Sequence, residues 1–460
     1  MAELVETQVS RYQEYKPTGV EWMPEIPVGW EVKKLKFVAV INPSRDSSKL
    51  EESAESVVFL PMEAVGEDGS FRQDTFKALI DVQSGYTYFE QDDVLLAKIT
   101  PCFENGKATV LTGLVTPVGF GSTEFHVIRP KQSLTVSRFL FYTVKSELFL
   151  RLGEGVMVGS AGQKRVPTDF LTEFPLPVPS LEEQEAVAQF LDDKTAQLDQ
   201  LITQKQQMLE LLREERAALI NHVVTKGLDA AAPLCDSGVE WLGEVPAHWE
   251  VKKLKWIAEI QGGIALSAGK QLENPVTLPY LRVANVQDGY LDLSEVKTVE
   301  VEPEQIARYK LHKGDLLMNE GGDSDKLGRG CVWHGEIEPC LHQNHVFAVR
   351  LFNGYNPEWL NLITATEGAR THFLTRAKQS TNLASISSSN IKEMPVLLPP
   401  VAEQREIMAV VAEETARVAE ATTTINQEIA LLQEYRAALI AEAVTGQIDV
   451  RHYVPASVLL

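Results

Sequence analysis

The chain has few cysteines and no long apolar run. Its 460 residues include only Cys102, Cys235, Cys331 and Cys340, which lie far apart and form no Cys-x-x-Cys pair. This spacing argues against a zinc site or a disulfide framework and fits a reducing compartment. No stretch reaches the roughly 18 consecutive apolar residues that a membrane span requires, and the acidic first residues lack the basic and apolar regions of a secretory signal. We therefore expect a cytoplasmic protein without a membrane span.

Net positive charge is also missing. The sequence contains 43 Lys and Arg residues against 64 Asp and Glu residues, a net charge of −21. Proteins that contact phosphate groups of nucleic acids depend on Lys and Arg. Total composition therefore argues against nucleic-acid binding, and the position of the acidic residues decides how strong this argument is.

Two blocks of sequence occur twice in the chain. Residues 19–36 read GVEWMPEIPVGWEVKKLK and residues 238–255 read GVEWLGEVPAHWEVKKLK, with 13 of 18 positions identical. A second block, FPLPVPSLEEQ at 174–184, recurs as MPVLLPPVAEQ at 394–404. The offset of 219 or 220 residues indicates an internal duplication.

The duplication predicts the domain organisation. Each copy has a Trp-rich lead-in, a variable region, a Pro-rich turn and a long polar–apolar segment. The predicted segments are a lead-in at 1–31, a first variable domain at 32–172, a turn and long helix at 173–229, a second lead-in at 230–250, a second variable domain at 251–391, and a turn, helix and C-terminal tail at 392–460. The variable domains share only short resemblances, such as Asp93-Val94-Leu95-Leu96 with Asp315-Leu316-Leu317-Met318. This predicts one fold with two diverged surfaces.

The negative charge lies mostly outside the variable domains. Region 32–172 has 16 basic and 17 acidic residues, and region 251–391 has 15 and 16, so each carries −1 and the remaining −19 falls on the shared segments. Each variable domain therefore has enough cations for a basic face.

The segment from Leu181 to about His222 contains no Gly or Pro and is rich in strong helix formers. Ser180 is the expected N-cap, with Glu183 three residues later as in a capping box. A seven-residue repeat predicts a coiled coil of two long antiparallel helices, and the alternative is that each helix packs on its own domain. The repeat consists of Leu191, Leu198, Lys205, Leu212 and Leu219, and then Val411, Val418, Ile425, Leu432 and Leu439.

The variable domains have the pattern of a mixed α/β fold. Alternating runs at 57–60 and 280–283 predict short strands, and residues 138–150 predict a helix. Turns are expected at 67–69, 105–106 and 287–289. The predicted fold class is α+β, with two globular domains in a pseudo-two-fold arrangement joined by two long antiparallel coiled-coil helices.

Motifs of enzymes that act on DNA are missing from the sequence. Residues 42–44 and 356–358 fail the third position of the Asn/Asp-Pro-Pro-aromatic motif of amino-methyltransferases, and residues 263–271 lack the spacing of a phosphate-binding P-loop. Asp93 with Lys98 superficially fits a nuclease site, but its counterpart, Asp315 with Glu320, lacks the lysine. We interpret both aspartates as strand-start or turn carboxylates. These failures favour a binding protein over an enzyme.

The lead-in YKPTGVEW at 15–22, its second copy, and the Pro-rich turns that end in Glu183-Gln184 and Glu403-Gln404 resemble the specificity subunits of type I restriction-modification systems. The resemblance covers essentially the whole chain. One departure is Ser180, which stands where the second copy has Pro400.

The resemblance implies a function without catalysis in this chain. Each variable domain would be a target-recognition domain for one half of a bipartite, asymmetric DNA site, and the two helices would fix the spacer and bind two methyltransferase subunits. Those subunits would use S-adenosylmethionine to methylate adenine, and restriction subunits would use ATP and Mg to cleave DNA. A single-chain restriction or methylation enzyme and a coiled-coil scaffold that does not bind DNA are the alternatives.

Base-reading side chains are expected among Arg, Lys, Asn, Gln, Ser and Thr residues on loops. In the first domain the candidates are Lys98, Thr100, Asn105, Lys107, Ser122, Thr123, Lys164 and Arg165. In the second they are Asn319, Lys326, Arg329, Gln343, Asn344, Lys378, Gln379, Thr381 and Asn382. Lysines that occur in both copies fit phosphate contact better, namely Lys33, Lys34, Lys36, Lys252, Lys253 and Lys255. For any single candidate the alternative is an exposed, solvated side chain.

Overall fold

A computed structural model describes residues 10–51, 55–160, 162–265, 272–322, 327–328, 330–379 and 384–454. The chain forms two compact units: unit 1 comprises residues 1–206 and 425–460, and unit 2 comprises residues 207–424. None of the helices in the described part of the chain combines the length and apolarity needed to span a membrane.

The first repeat has fourteen named strands, six short α-helices and a 3-10 helix (Met62–Ala64) in its described residues. The strands are β1 (Tyr15–Val20), β2 (Met23–Pro27), β3 (Glu31–Lys34), β4 (Ala39–Ile41), β5 (Ser56–Leu60), β6 (Phe76–Ala78), β7 (Thr87–Glu90), β8 (Val94–Ala97), β9 (Ala108–Val110), β10 (Val118–Gly121), β11 (Phe125–Pro130), β12 (Val158–Ser160), β13 (Gln163–Arg165) and β14 (Pro175–Val178). The helices are α1 (Leu35–Val38), α2 (Ser47–Glu51), α3 (Leu79–Val82), α4 (Ser137–Lys145), α5 (Glu147–Gly155) and α6 (Thr168–Glu173). The long helix α7 (Leu181–Lys226) follows.

The second repeat also contains fourteen named strands in its described residues, with four short α-helices before its long helix. Its strands are β15 (Leu234–Asp236), β16 (Glu244–Pro246), β17 (Glu250–Lys253), β18 (Ala258–Gly262), β19 (Val276–Leu281), β20 (Lys297–Val301), β21 (Leu316–Asn319), β22 (Gly321–Gly322), β23 (Gly330–Val332), β24 (Leu341–His342), β25 (Val346–Leu351), β26 (Lys378–Gln379), β27 (Ala384–Ser385) and β28 (Pro395–Leu398). Its helices are α8 (Pro303–Tyr309), α9 (Pro357–Thr364), α10 (Glu367–Arg376), α11 (Ser388–Lys392) and the long α12 (Val401–Val444).

The two variable domains share one antiparallel sheet order and one parallel strand pair, while the second sheet has four strands in unit 1 and three in the described part of unit 2. A four-stranded antiparallel sheet has the order β4-β11-β8-β9 in unit 1 and β18-β25-β21-β23 in unit 2. A second sheet contains one parallel pair, β5 with β10 in unit 1 and β19 with β24 in unit 2. The duplicated fold that the short resemblances predicted is therefore present, and the predicted turns contain glycines with positive φ, among them Gly69 (95°) and Gly289 (82°).

Unit 1 contains an antiparallel pair made from the first part of α7 and the last part of α12. Lys205 forms an ion pair with Glu428, and the Arg436 guanidinium lies 2.9 Å from the Asp199 carboxylate. The residue number of the partner on α12 falls as the residue number on α7 rises, so the two helices are antiparallel. Leu198 is buried in the same hydrophobic cluster as Leu439, as the heptad pattern predicted.

Unit 2 contains the complementary pair, from the last part of α7 and the first part of α12. Arg216 Nε donates to Thr415 Oγ1 at 3.1 Å, and Arg417 lies 3.4 Å from Glu215. Val411 packs in the same buried cluster as Ile220. Because each unit contains such a pair, the helices pack on each other as well as on the variable domains.

The repeated Glu-Gln motif connects the start of each long helix to its unit. Ser180 caps α7, since its Oγ accepts from the Glu183 backbone N–H at 3.3 Å. The Glu183 carboxylate does not complete a capping box but accepts from Tyr12 Oη at 2.6 Å. In the second copy, Glu403 accepts from Trp249 Nε1 at 3.1 Å. Glu183 and Glu403 therefore hold the two lead-ins against the helix starts.

Candidate nucleic-acid interface

Three segments of the first variable domain converge beside the end of β8. They are residues 98–100 after β8, the turn 122–124 between β10 and β11, and the β12–β13 hairpin. The Lys98 N–H donates to the Glu124 carbonyl at 2.8 Å, and the Val166 N–H donates to the Lys98 carbonyl at 2.8 Å. This backbone network places side chains from separate parts of the sequence on one surface.

Cations on this surface differ in how they are held. Arg165 donates two hydrogen bonds of 2.8 Å to the Glu124 carboxylate, which lowers the pKa of Glu124. Lys164 is exposed and Lys98 is half-buried, and neither forms an ion pair within the described part of the chain. Lys98 and Lys164 are therefore the cations available to a ligand.

The remaining candidates of the first domain lie close to these segments. Thr100 Oγ1 donates to the Gly162 carbonyl at 2.6 Å, and Ser122 Oγ accepts from the Glu124 N–H at 3.2 Å, while Thr123 is exposed.

Two further candidates form hydrogen bonds with the neighbouring segment 62–67. Asn105 Nδ2 donates to Glu67 at 2.7 Å and Lys107 Nζ donates to the Met62 carbonyl at 3.3 Å. These bonds leave Asn105 and Lys107 less available than Lys98.

The second variable domain repeats the same backbone network. The Glu320 N–H donates to the His345 carbonyl at 2.9 Å, and the Ile386 N–H donates to the Glu320 carbonyl at 2.8 Å. The residues after β21, the turn before β25 and the β26–β27 hairpin therefore correspond to the three segments of the first domain.

Candidates of the second domain are distributed unevenly over this surface. Lys378 is exposed on β26, whereas Asn344 is half-buried in the turn. Gln343 is half-buried beside Asn344, and Gln379 pairs through its backbone with Ala384. Four candidates lie outside the described residues, namely Lys326, Arg329, Thr381 and Asn382.

Asn319 belongs to the interior. Its side chain is buried and Nδ2 donates to the Val286 carbonyl at 2.9 Å. The strand β21 turns this side chain toward the core, so we do not include Asn319 in the interface.

The candidate interface also carries acidic and imidazole groups. A search of the sequence limited to Arg, Lys, Asn, Gln, Ser and Thr does not find Glu124, Glu320 or His345. A signal was present, since extending the match of Asp93 with Asp315 by five residues aligns Lys98 with Glu320.

The lysines that occur in both copies are paired with glutamates. Lys34 lies 2.5 Å from Glu173 and Lys36 pairs with the same carboxylate, while Lys253 and Lys255 lie 2.7 and 2.6 Å from Glu393. These lysines lower the pKa of both glutamates to about 2. Lys33 and Lys252 lie 2.8 and 2.5 Å from Glu31 and Glu250. Phosphate contact by these lysines remains a prediction, and each would have to share its charge with a carboxylate.

The nuclease-like aspartates are structural, as the sequence reasoning favoured. Asp93 is buried and receives two 2.8 Å hydrogen bonds from Arg129. Asp315 is buried and receives equivalent bonds of 2.8 and 2.7 Å from Arg350. Among the described residues, no group of three or more His, Cys, Asp or Glu side chains is arranged to hold a metal ion.

Comparison with known proteins gives the same family for both repeats. The family model "Type I restriction modification DNA specificity domain" matches residues 27–211 and 246–431. The chain is 26% identical over 468 residues to the EcoEI specificity subunit of Escherichia coli, with 84% of this chain and 78% of that protein covered. It is 27% identical over 330 residues to the EcoKI specificity subunit of Escherichia coli strain K12, with coverages of 70% and 68%.

Solved structures share the fold. A structure titled as describing complex assembly and conformational transition of the type I R-M system has a TM-score of 0.68 and 18% identity, covering 92% of this chain and 99% of that chain. The HsdS subunit from Thermoanaerobacter tengcongensis has a TM-score of 0.56 and 17% identity, with coverages of 92% and 98%. With both repeats matched by the family model, the chain belongs to the DNA specificity subunits of type I restriction-modification systems.

Proposed function

We propose that this specificity subunit reads a bipartite, asymmetric DNA site, with one variable domain on each half-site. The observation that carries the proposal is that both domains use the same backbone network but present different side chains on it. The equivalent pairs are Lys98 and Glu320, Glu124 and His345, and Arg165 and Ser385. Identical surfaces would read identical half-sites, whereas these surfaces differ in charge and hydrogen-bonding capacity.

The proposed chemistry belongs to partner subunits. Adenine methyltransferase subunits would bind S-adenosylmethionine, and restriction subunits would use ATP and Mg. This chain would recognise the DNA sequence without contributing a catalytic centre. A cytoplasmic location follows from this role, because the DNA and the partner subunits are there.

Surface features repeated in both units support a partner that binds in two copies. Phe37 is 57% exposed and Trp256, its equivalent, is 67% exposed. A lysine amine lies 5.6 Å from each ring centroid, Lys36 over Phe37 and Lys255 over Trp256. Features that read different bases should differ between the units, whereas features that bind two copies of one subunit should be retained. We propose that these aromatic side chains contact the methyltransferase subunits.

A domain exchange tests the proposal. Residues 32–172 are replaced by the corresponding domain of another specificity subunit, and the chain is expressed with its methyltransferase subunit in cells that lack other DNA methylation. Sequencing of the methylated sites should show one half-site changed and the other retained. Loss of any sequence preference in the parent complex would favour a scaffold, and methyl transfer by the isolated chain would favour a single-chain enzyme.

A further inference from the structure

We infer that Lys98 and Glu320 are equivalent specificity-determining residues, and that each recognises a G·C pair in its own half-site. Lys98 would contact a guanine in the first half-site, and Glu320 a cytosine in the second. This inference rests on the proposed function and adds to it the bases at one position of each half-site.

Backbone contacts establish that the two residues are equivalent. Lys98 donates its N–H to the turn before β11, and Glu320 donates its N–H to the turn before β25. Each carbonyl accepts an N–H from the residue that follows the hairpin, Val166 in unit 1 and Ile386 in unit 2. Each residue also follows the inner strand that starts after the buried aspartate, β8 in unit 1 and β21 in unit 2, and lies five residues from that aspartate. The two side chains therefore start from the same place on the same fold.

Both side chains are accessible and have hydrogen-bonding capacity left. Lys98 is half-buried and forms no ion pair or side-chain hydrogen bond within the described part of the chain. The Glu320 side chain is 28% exposed, and its Oε2 is 2.7 Å from Nδ1 of the exposed His345. Its Oε1 has no hydrogen-bond partner among the described residues. Arg165 is a weaker candidate, because its guanidinium already donates two hydrogen bonds to the Glu124 carboxylate.

The chemistry of the major groove assigns the bases. Guanine presents two acceptors, O6 and N7, and lysine is a donor without an acceptor. Cytosine presents one donor, the N4 amino group, and an ionised glutamate is an acceptor without a donor. Adenine and thymine each present an acceptor as well, but neither offers lysine the paired acceptors of guanine, and adenine is matched better by Asn or Gln than by Glu. The change from a positive side chain in the first domain to a negative one in the second therefore changes the recognised base from guanine to cytosine.

The test uses the full chain assembled with its methyltransferase subunits and a DNA library randomised at both half-sites. Bound DNA is selected and sequenced for the parent, Lys98→Gln and Glu320→Gln. Lys98→Gln should reduce the preference for guanine about tenfold or more at one position of the first half-site, with a shift toward adenine. Glu320→Gln should reduce the preference for cytosine by a similar factor at one position of the second half-site.

Matched controls lie on the same domains away from the interface. Lys77 lies on the edge strand β6, with its Nζ 3.7 Å from the centroid of the Phe59 ring, and Glu338 is exposed and pairs with Lys310. Lys77→Gln and Glu338→Gln should leave every position of the site unchanged. The half-site read by the unmodified domain serves as an internal control for folding.

The outcomes separate this inference from the proposed function. A parent complex that selects no two-part site overturns both. A parent that selects such a site, with Gln variants that select the same bases at the same strength, overturns the inference alone. If a Gln variant binds no DNA, retention of the base preference by Lys98→Arg and Glu320→Asp supports the assignment, and altered bases in these charge-conserving variants overturn it.

Discussion

Gln184 illustrates at the level of one residue what the first Glu-Gln motif contributes to the fold. Its side chain is fully buried at the start of α7. Its Oε1 accepts from Thr135 Oγ1 at 2.8 Å and from the Val136 N–H at 3.1 Å, while Nε2 donates to the Leu134 and Pro179 carbonyls at 3.0 Å. A buried amide with all these bonds is costly to replace, because each abandoned partner would lose its hydrogen bond. The glutamine therefore fixes the variable domain to the helix start.

The two lysines beside Glu173 and the two beside Glu393 predict how the pKa of each glutamate links stability to pH. The pKa of both carboxylates lies near 2 because two lysines donate to each one. Since the folded-state pKa is below the unfolded-state value of about 4.5, the contribution of these groups to stability is present above pH 4.5 and is lost as the pH falls toward 2. Exposure of the pairs to solvent keeps this contribution small.

Carboxyl NMR of the protein with ¹³C-labelled glutamate measures both values. In the double variant Lys34→Gln, Lys36→Gln, the pKa of Glu173 should rise toward its usual value while Glu393, which keeps both lysines, remains near 2. A titration of Glu173 near 2 in the variant would mean that the lysines are not the cause.

At the level of elements, periodicity was the most informative part of the sequence. The start of α7 at Leu181 and the inward-facing heptad line were predicted, because both depend on local propensity and spacing. The predicted helix at 138–150 is instead two helices, α4 and α5, because the Ser146 backbone is extended and its side chain caps α5 by accepting from the Phe149 N–H. A short local break of this kind is not visible in apolar spacing.

The candidate interface could be predicted less completely than the elements. Selection by side-chain type includes Lys98 and Arg165, which the structure places on one surface, but also the buried Asn319. The pairing of Lys34 and Lys36 with Glu173 depends on β3 lying against β14, a contact between residues more than a hundred positions apart. Long-range pairing of this kind decides which cations are free, and it requires the three-dimensional structure.

The polar interruption of the heptad line leads to a prediction about the helix pair. Lys205 is 19% exposed and Glu428 is 30% exposed, so their ion pair loses part of its hydration. Replacement of a partly buried pair by two apolar residues is often neutral or stabilising. The double variant Lys205→Leu, Glu428→Leu should therefore stabilise unit 1 by about 1 kcal/mol, whereas Lys205→Leu alone should destabilise it by about 1–3 kcal/mol because Glu428 loses its partner.

Thermal unfolding followed by calorimetry measures these differences. The exposed pair Arg213 and Glu210 is the control, and Arg213→Ala should change stability by less than about 1 kcal/mol. A double variant less stable than the parent protein would show that the ion pair is a net stabiliser.

For the whole molecule, the repeated aromatic residues predict the stoichiometry of the complex. If Phe37 and Trp256 each contact one methyltransferase subunit, Trp256→Ser should leave one strongly bound subunit, and the double variant Phe37→Ser, Trp256→Ser should bind both weakly. When a large aromatic is a hot spot of an interface, its loss weakens binding by about 2 kcal/mol or more, which is roughly 30-fold in Kd.

Native mass spectrometry and analytical ultracentrifugation give the subunit count. Ile80→Ser is a control for loss of an exposed apolar side chain, because Ile80 is 76% exposed on α3 and has no equivalent among the exposed aromatic pairs. Unchanged binding of two subunits to the double variant would contradict the proposed contact, and reduced DNA affinity without subunit loss would assign these residues to DNA.

The continuous length of the long helices leads to the last prediction. α7 contains 46 residues and α12 contains 44, which at about 1.5 Å per residue correspond to roughly 65–70 Å each. If these helices set the spacer of the DNA site, inserting four residues into each, after Gln207 and before Thr424, should lengthen the spacer by roughly 6 Å, about two base pairs, and leave both half-sites unchanged.

Sequencing of methylated sites measures the length of the spacer and the bases of both half-sites together. A four-residue insertion in the exposed turn at 353–354, outside the helices, should leave the spacer as it is. An unchanged spacer in the helix variant, with both half-sites still methylated, would show that the helices do not determine it.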